Sequence, residues 1–289
     1  MKSRDFLLGL GTAATLVLIP APLAGSQNAA LPAAPAAQPL PPVDRFSSDR
    51  ISVVVQGTGP DVILIPGLTA SRDMWKGTVA ATPGYRYHLV QVNGFAGTAA
   101  GGNASGPVVG PVADEIARYI RHHRLDRPAL IGHSMGGTLA MMIAARQPQL
   151  AGRVMVVDML PQPSGLFGGN ASGWSPLTER LASSPAGRRL LGNFIGRFGA
   201  DEPGRASDPD VVARATHDLV STDLAPELSR IAAPLTVLYA AAEGSDRTYA
   251  AAYRGKAGAK LVRIDNSGHM IMYDQPARFR AEMKAFLAD

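Results

Sequence analysis

The sequence contains no cysteine, and charged residues make up only 18% of its 289 residues. The lack of cysteine excludes disulfides, iron–sulfur clusters, thiolate nucleophiles and cysteine-ligated zinc. A covalent reaction would therefore use serine, threonine, lysine or a carboxylate. The formal net charge of +5 comes from basic residues scattered along the chain. Because nucleic-acid binding proteins cluster their basic residues on one face, we expect no nucleic-acid partner.

Motifs for cofactors are also lacking. The sequence has neither a glycine-rich phosphate loop nor a dinucleotide-binding fingerprint after a strand. Its six histidines are too dispersed along the chain to suggest a metal site. We therefore expect no organic cofactor and no metal.

The N-terminal segment has the order of regions found in secretory signal peptides. A basic start precedes the apolar stretch Phe6–Ile19, and small residues follow at Ala24 and Ser26. The apolar stretch is too short to span a bilayer comfortably. We expect a signal peptide over residues 1–26, a periplasmic or secreted protein, and no stable membrane insertion after cleavage. Without cleavage, the same segment would act as a membrane anchor.

A linker rich in proline and alanine follows the signal peptide over residues 27–42. Within it, Leu31–Pro42 contains five prolines and four alanines. Such a composition supports neither a helix nor a sheet ladder, so it predicts an extended tether. The folded domain should occupy residues 43–289.

Short runs rich in β-branched residues alternate with segments of helical periodicity throughout this domain. The predicted strands are 51–55, 62–65, 87–92, 129–131, 154–157, 235–239 and 260–264. The clearest helical patterns cover 112–122, 137–145 and 277–287. This alternation predicts an α/β fold with a mostly parallel central sheet and flanking helices.

The strand pattern stops between Pro161 and Pro234. The segment is too long for a loop inside a compact domain, so it predicts a mainly helical cap insertion at about residues 161–230. The apolar residues Phe167, Trp174 and Phe194 favour a substrate with an apolar acyl or alcohol group. They would also be needed simply to fold the cap onto the body.

A serine motif follows the predicted strand at 129–131. The motif is Gly132-His133-Ser134-Met135-Gly136, and a helical pattern begins directly after it. A Gly-x-Ser-x-Gly sequence between a strand and a helix forms a tight turn that exposes the serine at the sheet edge. The start of the helix also supplies backbone N–H groups for a developing oxyanion. These features indicate Ser134 as a nucleophile.

From about Ile51 to Leu287 the sequence resembles the α/β-hydrolase family. The run Ile63-Leu64-Ile65-Pro66-Gly67-Leu68 is similar to the family's oxyanion loop, although Pro66 replaces the commoner histidine. The resemblance implies that the backbone N–H groups of Leu68 and Met135 form the oxyanion hole.

The resemblance also assigns the general base to a histidine near the C-terminus. His269 lies in Asn266-Ser267-Gly268-His269, between the last predicted strand and the last helix, where this family carries its catalytic histidine. We expect His133 to be a packing residue whose side chain points away from the Ser134 face. The remaining histidines lack this context: His88, His122, His123 and His217.

Three carboxylates remain candidates for the acid that would orient His269. The family's usual position follows the strand 235–239, where Glu243 and Asp246 stand but the usual pattern is missing. A second known position is the end of the preceding strand, which is occupied by Asp158. We favour Asp158 because a short acidic side chain at a strand end is well placed.

Together these residues predict an exported serine hydrolase that cleaves carboxylic esters through an acyl-enzyme on Ser134. Its partner would be a small-molecule ester or a related acyl compound. An amidase or peptidase would use the same residues, and so would a cofactor-free peroxidase of this fold. A non-catalytic binding protein is the alternative outside the enzymes. The sequence carries no signal for an oligomeric state.

Overall fold

A seven-stranded sheet forms the centre of the protein in the computed structural model. The structure describes residues 46–164, 184–196 and 203–288, all within the unit Arg45–Asp289. The predicted signal peptide and linker, residues 1–42, lie outside the described residues. So do the predicted cap residues Phe167 and Trp174 and the side chain of Phe194.

The strands are β1 Ile51–Gln56, β2 Asp61–Ile65, β3 Arg86–Val92, β4 Ala129–His133, β5 Arg153–Val157, β6 Leu235–Ala240 and β7 Lys260–Ile264. Their order in the sheet is β1-β3-β2-β4-β5-β6-β7. Only β1 is antiparallel to its neighbour, so the prediction of a mostly parallel sheet is confirmed. β4 extends two residues beyond its predicted end because Gly132 and His133 still pair with β5.

The inner strands are apolar on both faces because helices cover the sheet from both sides. Strands β2, β4 and β5 are buried almost throughout. β1 lies at the edge of the sheet, and Val54 and Val55 there are exposed. This burial explains why the inner strands read as continuous apolar runs in the sequence.

The helices are α1 Lys76–Ala81, α2 Val109–His122, α3 Met135–Arg146, α4 Pro185–Gly196, α5 Pro209–Ser221, α6 Ser245–Ala252, α7 Ile271–Asp274 and α8 Pro276–Ala288. Buried side chains of α2, α3, α5 and α6 share one core cluster with the sheet. Those of α7 and α8 belong to a second cluster, in which the Trp75 and Phe279 rings stack at 6.2 Å. Among the described residues, no helix combines the length and the apolarity needed to cross a membrane.

The described parts of the segment between Pro161 and Pro234 contain helices joined by irregular backbone. It contains α4, α5 and two short 3₁₀ helices, Pro203–Ala206 and Ala225–Arg230, and its described residues include no strand. These elements are consistent with the predicted mainly helical insertion.

Hydrogen bonds connect helix α5 to the loop after β3 and to the start of α2. The Asp218 carboxylate accepts from the N–H groups of Val108 and Val109, at the start of α2, at 2.5 and 3.1 Å. The Asp208 N–H donates to the Gly94 carbonyl at 2.7 Å. Because its buried side chains also belong to the first core cluster, α5 is part of the main core.

Candidate active site

Ser134 occupies a strained turn between β4 and α3. Its φ is +53° and its ψ −123°, a conformation that L-residues rarely adopt. A Cβ atom at Gly132 would lie 2.0 Å from the Gly136 carbonyl oxygen, and one at Gly136 would lie 2.2 Å from the Ile65 oxygen. Both positions therefore require glycine. The turn holds Ser134 at the carboxyl edge of the sheet, where its N–H donates to the Val157 carbonyl at 2.9 Å.

The loop after β2 runs beside this turn. A Cβ atom at Gly67 would lie 3.2 Å from the Ser134 Cβ, so the backbone passes close to the serine. Within the described part of the chain, the N–H groups of Leu68 and Met135 donate no hydrogen bond. Leu68 follows Gly67 in this loop and Met135 follows Ser134 directly, and their role as oxyanion donors stays a prediction.

His269 and Asp158 form a direct pair at the same edge. The His269 Nδ1 lies 2.7 Å from the Asp158 Oδ2. The His269 side chain is 48% exposed and that of Asp158 only 11%. The other two acid candidates lie elsewhere: Glu243 is exposed, and Asp246 accepts hydrogen bonds from Tyr239 and Arg263. Of the three predicted candidates, Asp158 is the one that contacts His269.

Asp158 stays ionised although it is buried. Burial alone would raise the pKa of this carboxyl group, but hydrogen bonds from His269, the Ala240 N–H and the Tyr249 hydroxyl hold it below its usual value. The Ala240 and Tyr249 donors both contact Oδ1, at 2.9 and 3.0 Å. The negative charge is therefore available to stabilise a protonated His269.

His133 supports His269 from the other side, a role that the sequence did not reveal. It is buried, as expected of a packing residue, yet its ring lies 4.6 Å from the His269 ring between centroids. Its Nε2–H donates to the His269 carbonyl at 2.9 Å. Burial, together with the nearby His269, lowers the pKa of His133 to about 3, so this ring is neutral at neutral pH. The ring therefore faces the predicted base, and the expectation that it points away was wrong.

Three of the seven described non-glycine residues with positive φ lie in the turns that form this site. Thr69, Ser134 and Asp158 all have positive φ values, of 65°, 53° and 52°. Threonine is β-branched, and such residues rarely adopt this conformation. Strained backbone of this kind clusters at functional sites, because the surrounding structure must hold it.

The other histidines lie away from this centre. His88 is buried on β3 and contacts Asp61 and the Tyr119 hydroxyl at 2.8 and 2.7 Å. His122 and His123 lie at the end of α2, near the Phe46 ring. Among the described residues, no group of three or more histidine, aspartate or glutamate side chains could hold a metal ion.

Known proteins share this fold and parts of this sequence. The N-formylmaleamate deformylase of Pseudomonas putida is 25% identical over 246 residues, which cover 80% of this chain and 90% of the relative. The pimeloyl-[acyl-carrier protein] methyl ester esterase of Aeromonas hydrophila is 30% identical over 112 residues, covering 38% and 42%. For several curated relatives, this chain matches only between 20% and 42% of their length.

The same fold occurs in solved structures. The enol-lactonase of Burkholderia xenovorans LB400 superposes with a TM-score of 0.63 at 20% identity, covering 83% of this chain and 96% of the lactonase. The model of the alpha/beta hydrolase family matches residues 62–282, which include the serine turn, the buried aspartate and the C-terminal histidine. The chain therefore belongs to the alpha/beta hydrolase family.

Proposed function

We propose that the protein is a serine hydrolase that cleaves carboxylic esters through an acyl-enzyme on Ser134. The observation that carries this proposal is the 2.7 Å hydrogen bond between His269 Nδ1 and Asp158 Oδ2, at the sheet edge that also holds Ser134. An ionised aspartate on Nδ1 fixes the histidine tautomer and leaves Nε2 as the nitrogen that accepts a proton.

In the first half-reaction, Nε2 of His269 takes the hydroxyl proton as Ser134 Oγ attacks the ester carbonyl. The new C–O bond creates a tetrahedral oxyanion, which accepts hydrogen bonds from the N–H groups of Leu68 and Met135. The protonated His269 then gives its proton to the leaving alcohol. Asp158 stabilises the imidazolium during this step.

In the second half-reaction, water attacks the acyl-enzyme. His269 accepts a proton from this water and returns it to Ser134 Oγ as the acid leaves. Over the cycle, His269 therefore exchanges protons with Ser134, the leaving alcohol and the attacking water.

Amide hydrolysis is the second candidate, because one relative is named a deformylase. The same groups can protonate a leaving amine. A matched pair of substrates, an ester and an amide with the same acyl group, separates the two functions. We expect the ester to be cleaved faster, and a faster amide reaction would assign an amidase instead.

We also propose that the protein works outside the cytoplasm. The basic start, the apolar stretch and the small residues of positions 1–26 support this assignment. Cell fractionation should recover a shortened chain in the periplasm or in the medium. An intact N-terminus in the cytoplasm would contradict it.

The decisive experiment is labelling with a fluorophosphonate, which reacts with activated serines. Intact mass spectrometry of the wild-type protein should show one adduct, and the Ser134→Ala variant should show none. Ser105→Ala, at an exposed serine, is the matched control and should label like the wild type. A folded wild-type protein without an adduct would refute the proposed function and favour a binding protein.

A further inference from the structure

A tyrosine from outside the sheet contacts the buried carboxylate. Tyr249 lies in α6, is 4% exposed, and donates its hydroxyl to Asp158 Oδ1 at 3.0 Å. The Ala240 N–H donates to the same oxygen at 2.9 Å, while Oδ2 faces His269. Each carboxylate oxygen therefore has its own partners.

The ring of Tyr249 is held in a stack of tyrosines. It lies parallel to Tyr239, with centroids 4.4 Å apart, and to Tyr253, with centroids 6.4 Å apart. The neighbouring hydroxyl groups bind elsewhere: that of Tyr239 donates to Asp246, and that of Tyr253 donates to the Met159 carbonyl. Only the central hydroxyl of the stack contacts the aspartate.

Two donors on one oxygen restrict the rotation of the carboxylate about its Cβ–Cγ bond. A partial rotation of the carboxylate would move one oxygen away from both donors and the other away from His269, and leaving a buried donor unpaired is costly. We propose that Tyr249 is a positioning residue that fixes the plane of the Asp158 carboxylate so that one oxygen points towards His269. This inference rests on the proposed function, because it assigns a role within the same site.

The hydrogen bond from the Tyr249 hydroxyl also partly neutralises the negative charge of the Asp158 carboxylate beside His269. The groups around the carboxylate are His269 and the neutral His133 on one side, and Tyr249 with Tyr253 on the other. On the β6 side, the Ala240 N–H donates to Asp158, and Asp246 is bound by Tyr239 and Arg263. Without the Tyr249 hydroxyl, the buried carboxylate would keep only the donors His269 and Ala240.

The test is Tyr249→Phe, which keeps the ring in the stack and removes the hydroxyl. We expect kcat for a simple ester to fall about tenfold with little change in KM, as for the loss of one hydrogen bond to a charged group. Fluorophosphonate labelling of Ser134 should slow by a similar factor.

Two matched variants act as controls. Tyr253→Phe and Tyr239→Phe remove the outer hydroxyl groups of the same stack, so they should keep the wild-type kcat. Tyr249→Met also removes the hydroxyl but fills the space of the ring. If Tyr249→Phe does not fold, Tyr249→Met should show the same loss of kcat.

A double mutant separates positioning from a general structural effect. If Tyr249 acts through the carboxylate, Tyr249→Phe should slow labelling far less in an Asp158→Asn background than in the wild type. An equal loss in both backgrounds, or a wild-type kcat in Tyr249→Phe, would overturn the inference. Absence of a Ser134 adduct on the wild-type protein would instead refute the proposed function itself.

Discussion

Asp158 accepts three hydrogen bonds through its two oxygens, from His269, Ala240 and Tyr249. These bonds favour the ionised carboxylate, which the burial of the side chain opposes. An amide at this position would lack the charge that stabilises an imidazolium. It could also present an N–H group to His269 Nδ1 and so favour the wrong tautomer.

Asp158→Asn should therefore lower kcat by roughly 10⁴-fold, the loss known for the equivalent change in serine proteases. The measurement is ester turnover at saturating substrate, with folding checked by circular dichroism. Glu243→Gln and Asp246→Asn are the matched controls and should stay near wild-type activity. The assignment of the acid would be wrong if either control lost as much activity as Asp158→Asn.

Ser134 and His269 could be proposed from the sequence because each lies in a short motif next to a strand end. The acid could not be chosen with the same ease, because Asp158, Glu243 and Asp246 all follow strands. The choice depends on which carboxylate meets His269 in space. Tyr249 gave no local signal, since it contacts Asp158 across 91 positions of the chain.

At the level of elements, burial decided what the sequence could predict. The inner strands β2, β4 and β5 follow from runs of apolar and β-branched residues, because they are covered on both faces. Compared with the predictions, α2 begins three residues earlier, α3 begins two residues earlier and ends one later, and α8 is one residue longer at each end. Helix α6 was missed because only Tyr249 among its residues is buried, so it lacks an apolar stripe.

The turn between β4 and α3 has no room for an additional atom. Replacing Gly136 with alanine adds one methyl group there and tests this. In Gly136→Ala the new Cβ would lie 2.2 Å from the Ile65 oxygen, against backbone that cannot rotate away. We expect the free energy of unfolding to fall by about 1–3 kcal/mol, and kcat to fall as Ser134 is displaced. Chemical denaturation and ester turnover measure the two effects.

Gly77→Ala is the control for this substitution. Gly77 lies in α1, and a Cβ atom there would meet nothing within 4 Å. Alanine should raise the free energy of unfolding by about 0.5–1 kcal/mol, because it restricts the unfolded chain and favours a helix. Equal stability changes in the two variants would show that the Gly136 turn is looser than described.

For the whole molecule, the buried histidines make stability depend on pH. Burial lowers the pKa of His133 to about 3 and also lowers that of His88. In the unfolded chain a histidine takes up its proton below about pH 6.5. The unfolded state therefore binds more protons than the folded state between pH 6.5 and 3, and stability falls as the pH falls through this range.

His133 alone should cost about 2 kcal/mol of folding free energy between pH 7 and pH 5. The test is chemical denaturation at both pH values for the wild type and for His133→Gln, which keeps a donor near the position of Nε2. The loss between the two pH values should be about 2 kcal/mol smaller in the variant. If the loss is equal in both proteins, His133 is not a buried neutral group.

The sheet order also has a consequence for folding kinetics. Ser134 and Asp158 flank the helix of one β-α-β unit, formed by β4, α3 and β5, so their meeting requires only local contacts. His269 follows β7, which pairs locally with β6, but β6 itself must join β5 across the long insertion, with Val154 opposite Leu235. Non-local pairing of this kind is slow compared with local closure. A chain in which β6 and β7 have not yet joined the sheet would carry the proposed nucleophile and acid without the proposed base, so the serine would gain its reactivity only when these last strands have docked.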